Sequence, residues 1–407
     1  MSGGTHPKLQ ALSHEARHFN RQQHIAPMTL QDLQNIPTPF YHYDMELLTK
    51  TLNSINAATA DCPNFHVHYA VKACATEEIL RAIAGAGLGA DCVSGGEVER
   101  AAQCGFAPSS IVFAGVGKAD WEIETALDLG ISMFNVESLP ELEVINEIAA
   151  AKDVVAKVAF RINPNVDAHT HAKITTGLNE NKFGLAMEDM IPAIHLAQSL
   201  SNVEFVGLHF HIGSQITEMA PFEALCHRIN ELLSMLEAEG IKVENVNVGG
   251  GLGVDYQHPH ENPIPDFASY FEVFKQHLNL SSDQHLHFEL GRAVVAQCGS
   301  LITKVLYVKQ GHQKQFVIVD AGMTDLIRPA LYDAYHHADN LSSLDEAHET
   351  YDVVGPICES SDVFLKDYQL PVTRRGDIIA FRTAGAYGEI MASQYNCRRL
   401  PGHVVEG

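Results

Sequence analysis

A (β/α)8 TIM barrel followed by a C-terminal mainly β domain is the fold this sequence predicts, and three observations predict it. Eight short apolar runs recur between residues 66 and 290. Stretches with apolar residues at helical spacing fill the seven gaps between them. After residue 290 the pattern turns to β-leaning runs punctuated by Gly and Pro, with little helix. Eight strands with seven crossovers is the barrel count, and the usual barrel size of about 250 residues fits the span. An open doubly wound sheet is the runner-up. It has no need of eight strands, and its first βα turn calls for a Gly-x-Gly-x-x-Gly signal that is absent here.

Taken in chain order, residues 1–25 are polar and read as a flexible extension. Residues 26–44 contain the run Phe40-Tyr41-His42-Tyr43, expected to join the β domain as an extra strand. The barrel is placed over 45–290. Its candidate strands are His66–Val71, Leu88–Val93, Ile111–Ala114, Ser132–Val136, Ala156–Ile162, Glu204–His211, Val243–Val248 and His285–Leu290. Amphipathic runs such as Glu77–Ala86, Gly96–Cys104, Ala119–Leu129 and Pro221–Glu239 supply helices between them. The β domain, 291–407, carries candidate strands Val294–Val308, Gln315–Val319, Glu349–Val354 and Asp377–Phe381.

Composition narrows the function. The 407 residues carry a formal net charge of −23. No basic surplus exists to neutralise phosphates, which argues against nucleic-acid or anionic-membrane partners. No apolar stretch reaches membrane-spanning length. The eight cysteines show no Cys-x-x-Cys spacing and Met1–His24 has no apolar signal core, so free thiols in a reducing cytoplasm are expected.

The chemistry-bearing residues cluster where a barrel places them, at the C-terminal ends of strands. Lys72 closes the first apolar run. A lysine held there on rigid backbone, partly out of water, is expected to drop its pKa from about 10.4 and present a neutral amine to a carbonyl such as the aldehyde of pyridoxal phosphate. A solvent-capped strand end is the plainer alternative. His211-Ile212-Gly213-Ser214-Gln215 follows the sixth run, Gly249-Gly250-Gly251-Leu252-Gly253 the seventh, and Glu289-Leu290-Gly291-Arg292 the eighth. Glycines after the seventh strand let backbone N–H groups close on a phosphate, with Ser214 and Arg292 as added donors. Asp91 ends the second run, near the site, where loop capping is an equal alternative.

The segments HYAVKA (68–73), GADCVSGGE (89–97), RINPNVDAHTHAKITTGLNENKFG (161–184), GLHFHIGSQI (207–216), the glycine loop, Glu289–Arg292, CESSD (358–362) and GAYG (385–388) together resemble the barrel-type pyridoxal-phosphate-dependent decarboxylases. The nearest are those that convert meso-2,6-diaminopimelate to L-lysine and CO2. The resemblance spans roughly residues 37 to 400. It implies pyridoxal 5'-phosphate held covalently by Lys72, with Glu289 facing the pyridine nitrogen and His211 stacked on the ring. Ser214, Gly250, Gly251, Gly291, Arg292 and Tyr387 are implied around the phosphate. Arg292 and Tyr387 are also implied at the substrate, together with Arg328, Tyr332 and Glu359. Cys358 is implied as the proton donor, supplied across a homodimer. A distal carboxylate and ammonium on the substrate call for a cation and an anion together. Arg328 with Tyr332 suits the first and Glu359 the second, whereas ornithine or arginine would need only acid there. Leu290, Ser361 and Cys74 depart from the family pattern; none removes a reacting group, and Cys74 adds a thiol expected near the cofactor.

Other readings stand beside this one. His66-Val67-His68 and His209-Phe210-His211 have the His-x-His spacing of metal-dependent barrel hydrolases. His66 and His68 begin their strand, however, so they are expected at the opposite rim, and no metal is expected. A racemase shares the fold, though Cys358–Asp362 and the distal-group residues argue for decarboxylation. A cofactor-binding homologue without turnover could lose its lysine or proton donor, whereas Lys72, Glu289, Cys358 and Tyr387 are all retained.

Overall fold

The computed structural model describes residues 28–166 and 182–407. The expected extension over 1–25, and most of the motif at 161–184, lie outside the described residues.

Eight parallel strands close a barrel: β2 (Phe65–Ala70), β3 (Gly89–Cys92), β4 (Ile111–Phe113), β5 (Met133–Val136), β6 (Ala156–Arg161), β7 (Val203–His209), β8 (Asn245–Asn247) and β9 (His285–Leu290). Closure is made by β9 returning to β2, with Val67 opposite Phe288 and His68 opposite Glu289. The strands read as continuous apolar runs because both faces are covered. Every residue of β3 and β5 is buried.

The seven crossovers are α3 (Glu77–Gly85), α4 (Gly95–Gln103), α5 (Asp120–Leu129), α6 (Leu139–Ala151), α7 (Met190–Ser199), α8 (Ala220–Ala238) and α9 (Phe267–His277). Two of them begin with the same device. Ser94 accepts from Glu97 N–H while the Glu97 carboxylate accepts from Val93 N–H. Ser138 and Glu141 repeat this, with Glu137 N–H as the second donor. Each cap satisfies N–H groups that a helix start would leave bare, typically worth about 1 kcal/mol.

Among the described residues two helices precede the barrel, α1 (Leu30–Asn35) and α2 (Met45–Thr59), with strand β1 (Phe40–Asp44) between them. β1 runs antiparallel to β10 (Gly299–Gln310) and parallel to β16 (Gly402–Glu406), so an early segment is a strand of the C-terminal sheet. The rest of that sheet is β11 (Gln315–Val319), β12 (Ala338–Asn340), β13 (His348–Val354), β14 (Val363–Pro371) and β15 (Ile378–Phe381), in the order β12-β15-β10-β11-β13-β14. The short helix α11 (Arg328–Tyr332) lies between β11 and β12.

Three expectations are corrected. β2 ends at Ala70, and Lys72 sits in a 3-10 turn, Val71–Ala73, closed by Cys74 N–H onto Val71 C=O. The chain turns at the barrel mouth two residues before the apolar run does. His211 likewise lies two residues past the end of β7. The expected strand from Val294 begins only at Gly299, because Arg292–Val295 form a helical turn, α10. All four residues of that turn are buried, and a run buried on every side carries no period that separates strand from helix.

Candidate active site

The ends of the barrel strands and the near edge of the β domain enclose a cavity of about 890 Å³. Lys72, Glu289 and His211 line it, as do Ser214, Gly251, Gly291, Arg292 and Tyr387. Arg328 and Tyr332, both on α11, form a further part of the same wall. Ten of the residues singled out from the sequence thus meet in one space. Asp91 stands behind Lys72, its side chain fully buried, with Oδ2 3.3 Å from Lys72 Nζ.

Lys72 does not have the lowered pKa that strand-end burial suggested. Burial pulls the ammonium down, but Asp91 foremost, with Tyr387 and Glu289, overrides it and holds the amine above its ordinary value. The side chain remains 43% exposed to the cavity. Asp91 is raised to about 7, by burial first and then by Glu289, against the pull of Lys72.

Glu289 is locked from three sides. Oε1 accepts from Asn135 Nδ2 at 3.1 Å and from Asn247 Nδ2 at 2.7 Å, and Oε2 takes His209 Nε2 at 3.1 Å. Burial alone would raise this carboxyl. His209, Lys72 and His211 reverse that and hold it below the usual carboxylate range. His211 is driven the other way: burial, then the charges of Arg161 and Lys72, keep its imidazole neutral. Gly250 N–H donates to His211 Nδ1 at 3.4 Å, which leaves the proton on Nε2.

The glycine loop is built for close approach. Gly249 and Gly251 have φ of +69° and +115°, and a Cβ on Gly250 would lie 2.0 Å from the Glu289 carbonyl oxygen. Beside it Arg292 donates through Nη2 to Ser214 Oγ at 3.0 Å and through Nη1 to Tyr256 Oη at 2.7 Å. Arg292 Nε is buried and has no partner among the described residues. A spare buried donor next to a bare-backbone loop suits a phosphate. Tyr387 N–H donates to Ala73 C=O at 2.8 Å, tying the GAYG turn to the turn that carries Lys72.

Cys358 and Glu359 are exposed and do not line this cavity. They sit in a turn organised by Asp362, whose carboxylate accepts from Ile357 N–H at 2.7 Å and Met323 N–H at 2.6 Å. Cys74 does not add a thiol to the cavity; it is buried towards Tyr43 and Thr76.

His66 and His68 are packing residues. His68 Nε2 lies 2.9 Å from His287 Nδ1, and His66 Nε2 lies 2.9 Å from His285 Nδ1. Burial lowers His68 to about 4. Among the described residues none of these four belongs to a group of three potential metal ligands. His209 serves Glu289 instead.

Sequence reasoning missed several residues. Tyr256 bridges the two arginines, its ring 5.9 Å from Arg292 Cζ and 5.4 Å from Arg328 Cζ. Its position, five residues after Gly251, was a usable signal. Asn135 was legible as an amide inside an otherwise apolar strand, where a buried amide needs a partner. Asn247 alternates with an apolar residue in Asn245-Val246-Asn247 and carried a weaker signal. His336, which binds Arg328, carried no such mark.

Fold and site together define a barrel enzyme that works with pyridoxal phosphate. Residues 48–296 match the family described as pyridoxal-dependent decarboxylase, pyridoxal binding domain. The chain is 62% identical over 372 residues to the diaminopimelate decarboxylase of Bacteroides thetaiotaomicron, covering 91% of this chain and 96% of that one. It is 43% identical over 368 residues to that of Neisseria meningitidis serogroup B, covering 90% and 87%. Among solved structures, diaminopimelate decarboxylase from Helicobacter pylori complexed with L-lysine matches with a TM-score of 0.87 at 41% identity, over 93% of each chain. The chain belongs to the diaminopimelate decarboxylase branch of the pyridoxal-dependent decarboxylase family.

Proposed function

We propose that the protein decarboxylates meso-2,6-diaminopimelate to L-lysine and CO2 with pyridoxal 5'-phosphate, the last step of lysine biosynthesis. The observation that carries the substrate assignment is Arg328, a buried guanidinium in the wall of the cavity that holds Lys72. A substrate with a carboxylate at its far end gives that cation a partner. Ornithine and arginine have no such group and would leave it uncompensated.

When bound, the cofactor supplies a sink for the electron pair released as CO2 departs. Lys72 would anchor the aldehyde, and Asp91 behind it sets the lysine's charge and position. Glu289, kept ionised by its three donors, would favour a protonated pyridine nitrogen, and neutral His211 would face the ring. Gly250, Gly251, Gly291, Ser214 and Arg292, with Tyr387, would hold the phosphate. Arg292 and Tyr387 also flank the substrate, whose distal carboxylate meets Arg328 and Tyr332.

The C–COO⁻ bond breaks, and a proton must be returned to the same carbon. Cys358 is the proposed donor and Glu359 the proposed partner of the distal ammonium. Both stand away from their own chain's cavity, which supports a homodimer in which each chain completes the other's site. The free thiols suit a cytoplasmic location. Among the described residues no helix is long and apolar enough to cross a membrane. The division at residue 290 then separates a cofactor-binding barrel from a β domain that brings distal-group and proton-donor residues.

The test is incubation with meso-diaminopimelate, ornithine and arginine separately. Lysine from the first alone is expected; putrescine or agmatine would overturn the substrate assignment.

A further inference from the structure

On the outer face of the barrel, α8 and α9 pack side by side, and Glu223, His227 and His277 on them stand outside the cofactor cavity. Glu223 and His227 stand one helical turn apart on α8, so both side chains share a face. His277, at the end of α9, is held beside them by its backbone, whose carbonyl accepts from Asn230 Nδ2 at 2.8 Å.

Within this group His227 Nε2 is 3.6 Å and His277 Nδ1 is 3.9 Å from the same oxygen, Glu223 Oε1. The two imidazoles meet edge to face, with centroids 5.8 Å apart. All three candidate ligand atoms lie within 4.8 Å of one another.

The distances decide between two interpretations. A histidine–carboxylate hydrogen bond closes to about 2.7–3.2 Å, and neither contact reaches that. Ligands at about 2.1 Å around a tetrahedral zinc ion stand about 3.4 Å from each other. The two histidine–carboxylate separations fall just outside that figure and the third pair lies within 4.8 Å, so a modest rotation of exposed side chains completes the geometry.

A second grouping shows the contrast. His260 and His337 reach Asp339 at 3.0 and 3.1 Å, and Arg382 Nε sits on Asp339 Oδ2 at 2.6 Å. Those are closed hydrogen bonds, with a guanidinium already supplying the positive charge beside the carboxylate. No cation contacts Glu223 in this way among the described residues.

We propose that Glu223, His227 and His277 form a transition-metal site of the zinc class, with three protein ligands and a remaining position open to water. Two imidazoles and one carboxylate suit Zn²⁺, Ni²⁺ or Cu²⁺ and disfavour Mg²⁺ or Ca²⁺, which prefer all-oxygen shells. Side-chain exposures of 47%, 61% and 31% for Glu223, His227 and His277 leave the open position accessible. A bound ion would staple the helix that follows the His211–Ser214 loop to the helix that leads into β9 and Glu289.

The test is calorimetric titration of zinc chloride into tag-free, chelator-treated holoenzyme, with the thermal midpoint measured in parallel. One equivalent per chain and a raised midpoint are expected. His227→Ala and His277→Ala should each weaken binding by at least about tenfold, since each removes one of three protein ligands, and the Glu223→Gln variant should weaken it too. Decarboxylation without zinc should be unchanged in all three. His337→Ala should bind zinc as wild type does. The proposal fails if wild type takes up no zinc. It fails equally if the His227→Ala/His277→Ala double variant still binds its equivalent, or if His337→Ala abolishes it.

Discussion

Arg328 donates through Nε to Nε2 of His336 at 3.2 Å. His336 is itself oriented, because its Nδ1–H donates to the Arg382 carbonyl at 3.0 Å, and so Nε2 carries the lone pair. Burial first, and then the charge of Arg328, lower His336 to about 3. The acceptor therefore stays neutral across any working pH. The cation assigned to the distal carboxylate is aimed by a histidine and braced by the Tyr256 ring.

Removing that brace should separate binding from chemistry. In His336→Ala, Arg328 keeps its charge but loses its fixed direction. KM for meso-diaminopimelate should rise about tenfold while kcat changes less than about threefold. His336→Gln, which can present a carbonyl acceptor, should recover part of the loss. Steady-state kinetics on the two variants check this, and an equal loss in kcat would argue against a positioning role.

Glu289→Gln tests the electrostatic heart of the site. The amide keeps the shape and can still bond parts of the network, but it cannot favour a protonated pyridine nitrogen. A loss of kcat of about 10²-fold or more is expected, some 3 kcal/mol of barrier. The substitution should also leave one of Asn135, Asn247 or His209 mispaired and so lower the melting temperature. Because the native carboxyl is held below its ordinary range, its contribution to wild-type stability is full at neutral pH. It should fade as pH falls below about 4.5.

Asp91 behaves in the opposite sense. Its carboxyl rises from 3.8 to about 7 in the folded protein, so between those values the native state binds more protons than the unfolded state. Its contribution to stability therefore falls as pH rises through that window and is flat above it. Lys72, held above its ordinary value, stays charged over the same range and adds no slope. With cofactor removed, the melting temperature of Asp91→Asn relative to wild type should climb from pH 5 to pH 7 and then level off. A difference independent of pH would show that Asp91 is ionised throughout.

Much of this architecture was legible before the structure. The eight barrel strands were found within about two residues at most ends because strands covered on both faces leave unbroken apolar runs, as at Met133–Val136. Residues at strand ends followed, since a barrel gathers them at one mouth. The strands Ala338–Asn340, Val363–Pro371 and Gly402–Glu406 were not found. They are short or partly exposed and mix polar residues into the pattern, so tertiary pairing rather than local sequence decides them. Lys72's charge was misjudged because burial could be read from the run around it, whereas Asp91, placed near the site but equally suited to loop capping, gave no sign of its 3.3 Å contact with the amine. His336 was invisible for the same reason: its meaning lies in Arg328 and Arg382, eight and 46 residues away.

Gly250→Ala should be costly although it adds one methyl group. Its Cβ would meet the Glu289 carbonyl oxygen at 2.0 Å, a backbone atom that cannot swing aside. Either the glycine loop or β9 must shift, at a cost of about 1–3 kcal/mol or more. A lower melting temperature and weaker retention of pyridoxal phosphate on dialysis are expected together. Loss of stability with cofactor retention intact would place the loop away from the phosphate.

Cys358 stands exposed outside the cavity that holds Lys72, which makes the composite site testable by mixing. Lys72→Ala and Cys358→Ala should each be nearly inactive alone. When the two are unfolded, combined in equal amounts and refolded with cofactor, half of the dimers are hybrids. If each site takes Lys72 from one chain and Cys358 from the other, one site in every hybrid is intact. Activity should then return to about a quarter of wild type, since two-fold symmetry gives each dimer two equivalent sites. If Cys358 served its own chain's cavity, both sites of every hybrid would carry one defect and the mixture would stay inactive. The two arrangements thus differ by the whole signal.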